Sequence, residues 1–313
     1  MCRLSILVPW WNEPSAFEDT LVSILQNCPN DSEILVVHAQ RYDDPYGLRS
    51  EVRFVQCAAD SELDLINTGF YRAEGDIVHV IRCGMLATPK WTESAVDQFD
   101  AEFVGAVAPL ILSEHSTTAE SGWNLTRNGR RERRSAGARS TSCTSPSLDA
   151  GFFRRQPVLD LGGFNTDIAA PELELGLALA HLGLDCLADD HSELQTVDDK
   201  TRDDETVDEV ELARSLELLY WRDRANASSL PSKLSHLASL ASDALRGKWA
   251  SLRGRLDGWR HRDRESYRTR IDEVLQRIED RAYVLAFPSS AADSGVDNSG
   301  VDNSGVDNQR WAA

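Results

Sequence analysis

No apolar run in this chain approaches the roughly 18–20 residues that a membrane-spanning helix needs. The opening stretch MCRLSILVPWWNE turns polar too soon for a secretion signal and reads as a first strand. The protein is therefore expected in the cytoplasm, with peripheral attachment at the inner face of a membrane left open. Closely spaced cysteine pairs are also missing. Cys2, Cys28, Cys57, Cys83, Cys143 and Cys186 lie far apart, and none has CxxC spacing. Most sit in or beside apolar strands, which speaks for reduced core residues and against a disulfide framework. Nor is there an excess of positive charge. The formal net charge is −18, so a polyanion would be repelled, which excludes nucleic acid as a partner of the whole molecule. The acid concentrates at 189–211, whereas 127–139 and 246–270 are rich in arginine.

What is present is a core. Hydrophobic residues make up 41% of the 313, enough for one substantial core with appendages. Apolar runs and helical patterns alternate through the first half. Arg3–Val8 reads as a strand stopped by Pro9, and Ser15 with Glu18 as a capping box opening a helix with Leu21, Ile24 and Leu25 on one face. Glu33–His38 and Val52–Cys57 read as strands. Ser61–Glu74 is helical, with Leu63, Ile66 and Phe70 inward. Asp76–Arg82 is a strand, Trp91–Phe99 a helix and Phe103–Leu112 a long strand. This βαβα order predicts an α/β fold with a mostly parallel sheet covered on both faces. Ligands of such sheets bind beyond the C-terminal strand ends, here Pro9–Glu13, His38–Gln40 and Arg82–Met85.

Residues 113–147 are polar, rich in Ser, Thr and Arg, and nearly free of aliphatics, which predicts a long mobile loop. Regular structure resumes at Leu148–Arg155, a helix spans Pro171–Leu182, and Leu184–Ala188 is a last short strand. The acidic stretch that follows reads as a linker, able to pair with the arginine-rich loop. From 201 the apolar residues recur at helical spacing, which predicts a helical arm. The boundaries are thus 1–200 for the α/β domain, 201–287 for the arm, and 288–313 for a disordered tail. That tail repeats the unit SGVDN, too polar to build a core. Within 232–270, Trp249 and Trp259 sit among aliphatics ringed by Arg246, Lys248, Arg253, Arg255, Arg260 and Arg262. Such helices can lie on anionic membranes. They can equally pack on the α/β domain or on a second subunit.

Four separate stretches resemble one family in order and spacing over about residues 3–190. LSILVPWWNEPSAFEDTLVSIL, INTGFYRAEGDIVHVI, FFRRQPVLDLGGFNTDI and PELELGLALAHLGLD are similar to segments of the family 2 glycosyltransferases of the GT-A fold. The resemblance implies hexosyltransferase-type chemistry: transfer of a sugar from a nucleotide-diphosphate sugar to a polysaccharide, lipid or protein acceptor. It places Pro9, Asn12, Glu13, His38, Asn67 and Gly69 at the nucleotide. His38 stands near where the family carries an acid, with Asp43 and Asp44 a few residues later. Asn12 and Asn67 have a second reading, as side chains that bond turn backbone. Trp10 and Trp11 read either as pocket lining or as core.

The resemblance also shows departures. Arg82 and Gly84 stand where the family has the two aspartates of its metal-binding Asp-x-Asp, and neither supplies the oxygen donors of Mg²⁺ or Mn²⁺. Thr88 and Glu93 downstream do not replace them. This degenerate motif leads to the expectation that no cofactor and no divalent metal takes part, and that Arg82 and Gly84 meet the diphosphate, helped by Arg127, Arg130, Arg131, Arg133 and Arg134. A register error, with an acid elsewhere serving, is a further reading. Glu172 falls at the family's catalytic carboxylate, although proline followed by acids is also ordinary helix-start chemistry. Glu174 points to another face of that helix. Ala178 replaces a family arginine. His191 and Gln195 both fall near a histidine some relatives use for metal, and His191 reads as a solvated side chain. The alternative to an enzyme is a catalytically inactive protein of this fold acting as a binding or scaffold subunit.

Overall fold

The computed structural model describes residues 3–11, 14–40, 42, 47–113, 119–138, 140–196, 208–223, 230–262 and 264–286. Contacts divide the chain into two units, Met1–Leu275 and Gln276–Ala313. In chain order the first unit begins β1 (Leu4–Trp10), α1 (Pro14–Asn27), β2 (Ser32–His38), β3 (Arg53–Gln56), α2 (Glu62–Arg72) and β4 (Ile77–Val80). It continues β5 (Met85–Ala87), α3 (Glu93–Gln98), β6 (Val104–Ser113), β7 (Glu120–Leu125), β8 (Arg131–Ser135) and β9 (Phe152–Arg154). Then come α4 (Arg155–Asp160), α5 (Pro171–His181), β10 (Asp185–Thr196), α6 (Glu209–Asp223), α7 (Leu230–Leu245) and α8 (Trp249–Arg260). The last helix, α9 (Arg264–Ala286), continues into the second unit. The repeat tail lies outside the described residues.

The sheet runs β3-β2-β1-β4-β9-β6-β10-β5, with β7 and β8 hung from β6. β3, β2, β1 and β4 pair in parallel, as do β6 and β10. β9 runs antiparallel between β4 and β6, so β6 points the same way as β1. The chain steps outward from β1 to β2 and β3, then returns to lay β4 on the other side of β1. Such a reversal is where sheets of this kind bind their ligands, here at the C-terminal ends of β1 and β4.

β1 is buried along its whole length because helices cover both faces. Ile6, Val8 and Trp10 join Phe17, Leu21 and Ile24 of α1 in one core layer. Leu7 faces α2, where the packing leaves no room at Gly69: a Cβ there would lie 2.3 Å from Leu7 Cδ1. Leu65, rather than the expected Leu63, is buried beside Ile66 and Phe70. Ser61 caps α2 and Asp64 returns the bond, forming a capping box.

Pro9 does not stop β1. The strand continues to Trp10, with Pro9 opposite Val37. The carbonyl of Leu7 accepts from Ile81 on the β4 side, so Pro9, two residues on, faces that side too, beyond the last β4 pair at Val80. Its missing N–H breaks no ladder bond there.

Two segments expected to be irregular are strands. In the expected loop 113–147, β7 and β8 form a hairpin around Trp123, which carries Arg131 and Arg133 over its ring at 3.5 and 4.3 Å. The expected linker after Ala188 is the second half of β10, which alternates buried and exposed residues through Thr196. The proposed pairing of loop and acidic stretch does occur: Arg134 Nη1 lies 3.1 Å from Asp190 Oδ1.

The cysteines described here, Cys28, Cys57, Cys83, Cys143 and Cys186, are free thiols, and burial pushes Cys143 up to about 12. Among the described residues no helix is long and apolar enough to cross a membrane.

His79 of β4 is fully buried, stacked 3.5 Å from Phe152, with Nδ1 on the Gly151 carbonyl and no hydrogen-bond partner at Nε2. Burial holds it neutral, lowering its pKa from 6.5 to about 3. The unfolded chain therefore takes up a proton that the fold refuses. Stability from this group is complete above pH 6.5 and is lost as pH falls from there toward 3. At pH 5 the loss amounts to about 2 kcal/mol. Urea titrations of the wild type and His79→Leu should differ by that slope, the variant being the flatter between pH 7 and 5.

Candidate active site

Because β1, β4 and β6 point the same way, their C-terminal ends share one edge of the sheet. Residues 82–84 tie that edge together. Cys83 Sγ donates to the Pro9 carbonyl at 3.5 Å. Gly84 has φ +92°, a conformation that favours glycine, and its N–H donates to Thr20 Oγ1 of α1 at 2.9 Å. Arg82 is the most constrained of the three. Its Nε and Nη2 form a fork on Glu62, Nε to Oε1 at 3.0 Å, and its Nη1 lies 3.3 Å from Asp149 Oδ1. Asp149 is itself held by Ser147 Oγ at 2.7 Å. The guanidinium expected to face a diphosphate thus already meets two carboxylates, and a diphosphate would have to compete with them. Glu62 and Asp149 stand in no recognisable pattern in the sequence; the capping serine at 61 is the one nearby signal.

The other candidate positions separate into packed and undescribed groups. Asn67 donates from Nδ2 to the Phe164 carbonyl at 2.9 Å and accepts the Phe164 N–H at 2.7 Å. Of its two sequence readings, the turn-bonding one is what this geometry displays. Gly69 serves the contact of α2 with β1. His38 is buried, with Nδ1 2.5 Å from the Gln40 carbonyl and its ring 5.8 Å from that of Trp10. Trp10 stacks on Phe17 at 4.9 Å and meets Tyr42 edge-on. It is core, while Trp11 is half-buried. Asn12, Glu13, Asp43 and Asp44 lie outside the described residues.

Glu172 sits in the first turn of α5, behind Pro171, and is buried. Arg131 of the hairpin reaches it, Nη2 to Oε1 at 3.0 Å, while stacking on Trp123. Trp123 is in turn bonded through its backbone to Ser145. A short path of contacts therefore links Glu172 through Arg131, Trp123 and the 145–149 segment to Asp149 and Arg82. Glu174 does point elsewhere: it is buried 3.8 Å from Arg270, its carboxyl pushed up by burial and drawn back by Arg270 and Arg222. His191 is 87% exposed and lies 3.5 Å from Asp189. Ala178 is buried in α5. Of the arginines expected to help, Arg130 pairs with Asp243 and Arg133 with Glu120.

No family model matches the chain, and no curated protein sequence matches it. Solved structures do. GalNAc-T7, crystallised with UDP, GalNAc and Mn²⁺, superposes with a TM-score of 0.55 at 11% identity over 72% of this chain and 50% of that one. The mannosyltransferase PcManGT from Pyrobaculum calidifontis, in complex with GDP-Man and Mn²⁺, gives 0.50 at 16% identity over 92% and 88%. S. aureus TarS gives 0.50 at 15% identity over 72% and 40%. The chain thus spans half the length of GalNAc-T7 and less of TarS. The fold is that of the GT-A glycosyltransferases, as the sequence resemblance implies.

One expectation is corrected by these neighbours. A divalent metal was not expected, yet GalNAc-T7 and PcManGT were both solved with Mn²⁺ and a nucleotide ligand, which points to divalent metal use. Among the described residues no three His, Cys, Asp or Glu converge, and the Arg82 guanidinium lies just past the end of β4.

Proposed function

We propose that this chain is a glycosyltransferase that moves a sugar from a nucleoside diphosphate sugar to an acceptor hydroxyl on a polysaccharide, lipid or protein. The observation that carries the reading is Glu172: a buried acid at the head of α5, tied through Arg131, Trp123 and the 145–149 segment toward the C-terminal edge of β1 and β4 in a GT-A sheet. Glu172 takes the proton of the acceptor hydroxyl as its oxygen bonds to the anomeric carbon. The bond from that carbon to the diphosphate breaks, and the diphosphate leaves with the electron pair. The acceptor must first displace Arg131 from the carboxylate. Pro9 of β1, with Asn12 and Glu13 that follow it in the sequence, is the segment assigned to the nucleotide, with Gly84 beside the diphosphate. A family 2 assignment rests on the four sequence stretches.

A second reading has one observation in its favour. Arg82 is taken up by Glu62 and Asp149, as befits a fold kept for binding rather than catalysis. Thermal shift separates the two. The enzyme predicts that UDP or GDP at 100 times its Kd, with Mn²⁺ in the buffer, stabilises the fold by about 2.7 kcal/mol. Each kcal/mol raises Tm by about 2–4 °C in a domain of this size. The same titration in EDTA reads the metal requirement. No shift with any nucleotide in either buffer would leave the scaffold reading standing.

A further inference from the structure

The helical arm is amphipathic the wrong way round. On α7 the buried positions are His236, Ser239 and Asp243, at helical spacing, and on α8 they are Gly254, Arg255 and Gly258. The apolar residues face out. Leu234, Leu237, Leu245, Trp249, Leu256 and Trp259 are all exposed, Leu245 at 90% and Trp249 at 70%. Leu234, Leu237 and Leu245 share one face of α7, and Trp249, Leu256 and Trp259 one face of α8. Elsewhere the described residues expose only Val22, Tyr71 and Phe103 among large hydrophobics, and these are far apart in sequence. So concentrated an apolar surface marks a contact.

The charge around it selects the contact. Lys233, Arg246, Lys248, Arg253, Arg260 and Arg262 are exposed on or beside these helices. The two acids of α7 and α8 are committed elsewhere: Asp243 is buried on Arg130, and Asp257 lies 3.1 Å from Arg214. A chain of net charge −18 thus presents a positive, tryptophan-bearing surface at one place. A symmetric dimer through this face would set the basic side chains against their own copies. We propose that the outer faces of α7 and α8 dock the protein on a lipid surface bearing anionic headgroups, the leucines and tryptophans entering the interface and the lysines and arginines meeting the headgroups. This stands apart from the transferase reading.

The test is sedimentation of the full chain with vesicles. Binding is expected to equal parts of phosphatidylglycerol and phosphatidylcholine, and not to phosphatidylcholine alone. Lys248→Gln and Arg253→Gln should each lower the partition constant about fivefold. Trp249→Ala and Trp259→Ala should each lower it about tenfold. All four side chains are exposed, so circular dichroism should report unchanged folding. Failure to sediment with the anionic vesicles, or sedimentation that these variants leave unchanged, would overturn the proposal. So would a dimer in sedimentation velocity that becomes monomeric in the tryptophan variants, because the face would then be a subunit contact.

Discussion

Glu172→Gln should lower kcat for sugar transfer by about 10²–10⁴-fold while leaving the nucleotide-induced thermal shift intact. That range is what a positioned general base contributes. Glutamine keeps the shape of the side chain and an oxygen for Arg131 Nη2, 3.0 Å away, but it cannot take a proton. The experiment needs a control, because Glu172 also ties α5 to the hairpin. Arg131→Gln breaks the same ion pair and spares the carboxylate. If Glu172 is only a strut, the two variants lose activity in step, each in proportion to its loss of folded protein. If it is the base, Glu172→Gln falls far below Arg131→Gln at equal folded fraction. Glu174→Gln supplies a baseline. Its carboxyl is buried two residues away, faces Arg270 rather than the hairpin, and should leave kcat near that of the wild type.

The parallel half of the sheet was legible because its strands are buried on both faces and so read as unbroken apolar runs, EILVVH being the plainest. α5 was legible from Pro171 and the acids behind it. The hairpin was not. Its strands are held by one tryptophan clasped between arginines, and by Arg133 on Glu120, Arg131 on Glu172 and Arg134 on Asp190. None of these contacts raises local hydrophobicity, so the segment looked like solvent-exposed loop. The extension of β10 was masked likewise. Its buried positions include Ser192 and Thr196, and only Leu194 is apolar, so the alternation from Ser192 to Thr196 is carried by hydroxyl side chains. At the site, sequence order correctly brought Arg82 to a strand end. It had no means of showing that Glu62, twenty residues earlier, and Asp149, sixty-seven later, would converge on the same guanidinium.

The arm owes its inverted polarity to two buried carboxylates, Asp243 on Arg130 and Glu217 among three donors, and removing Glu217 should unfold that region first. Glu217 of α6 accepts from three donors: Trp221 Nε1 at 2.6 Å, His236 Nε2 at 3.0 Å and Arg255 Nη1 at 3.2 Å. Arg255 and His236 also reach the tip of the hairpin, at the carbonyls of Gly129 and Asn128. α8 comes close enough for this because Gly254 and Gly258 lack side chains; Cβ atoms there would lie 2.1 Å from the Val210 carbonyl and 2.4 Å from the Arg214 carbonyl. Glu217→Ala leaves the buried Arg255 guanidinium with only Asp243, 3.9 Å away, and the Gly129 carbonyl, and the expected loss is about 3 kcal/mol in urea denaturation. The sign should depend on what is left behind. Arg255→Met in the Glu217→Leu background removes both charges, leaves packing volume in their place, and should recover most of the loss. If the double variant is no better than Glu217→Ala, the stabilisation lies in the bonds to His236 and Trp221 instead. In either case the hairpin carries Arg131, so a variant that frees its tip should also loosen Arg131 from Glu172. Because the acceptor must displace Arg131 from Glu172 in any case, transfer activity per folded α/β core should be kept or raised in Glu217→Ala.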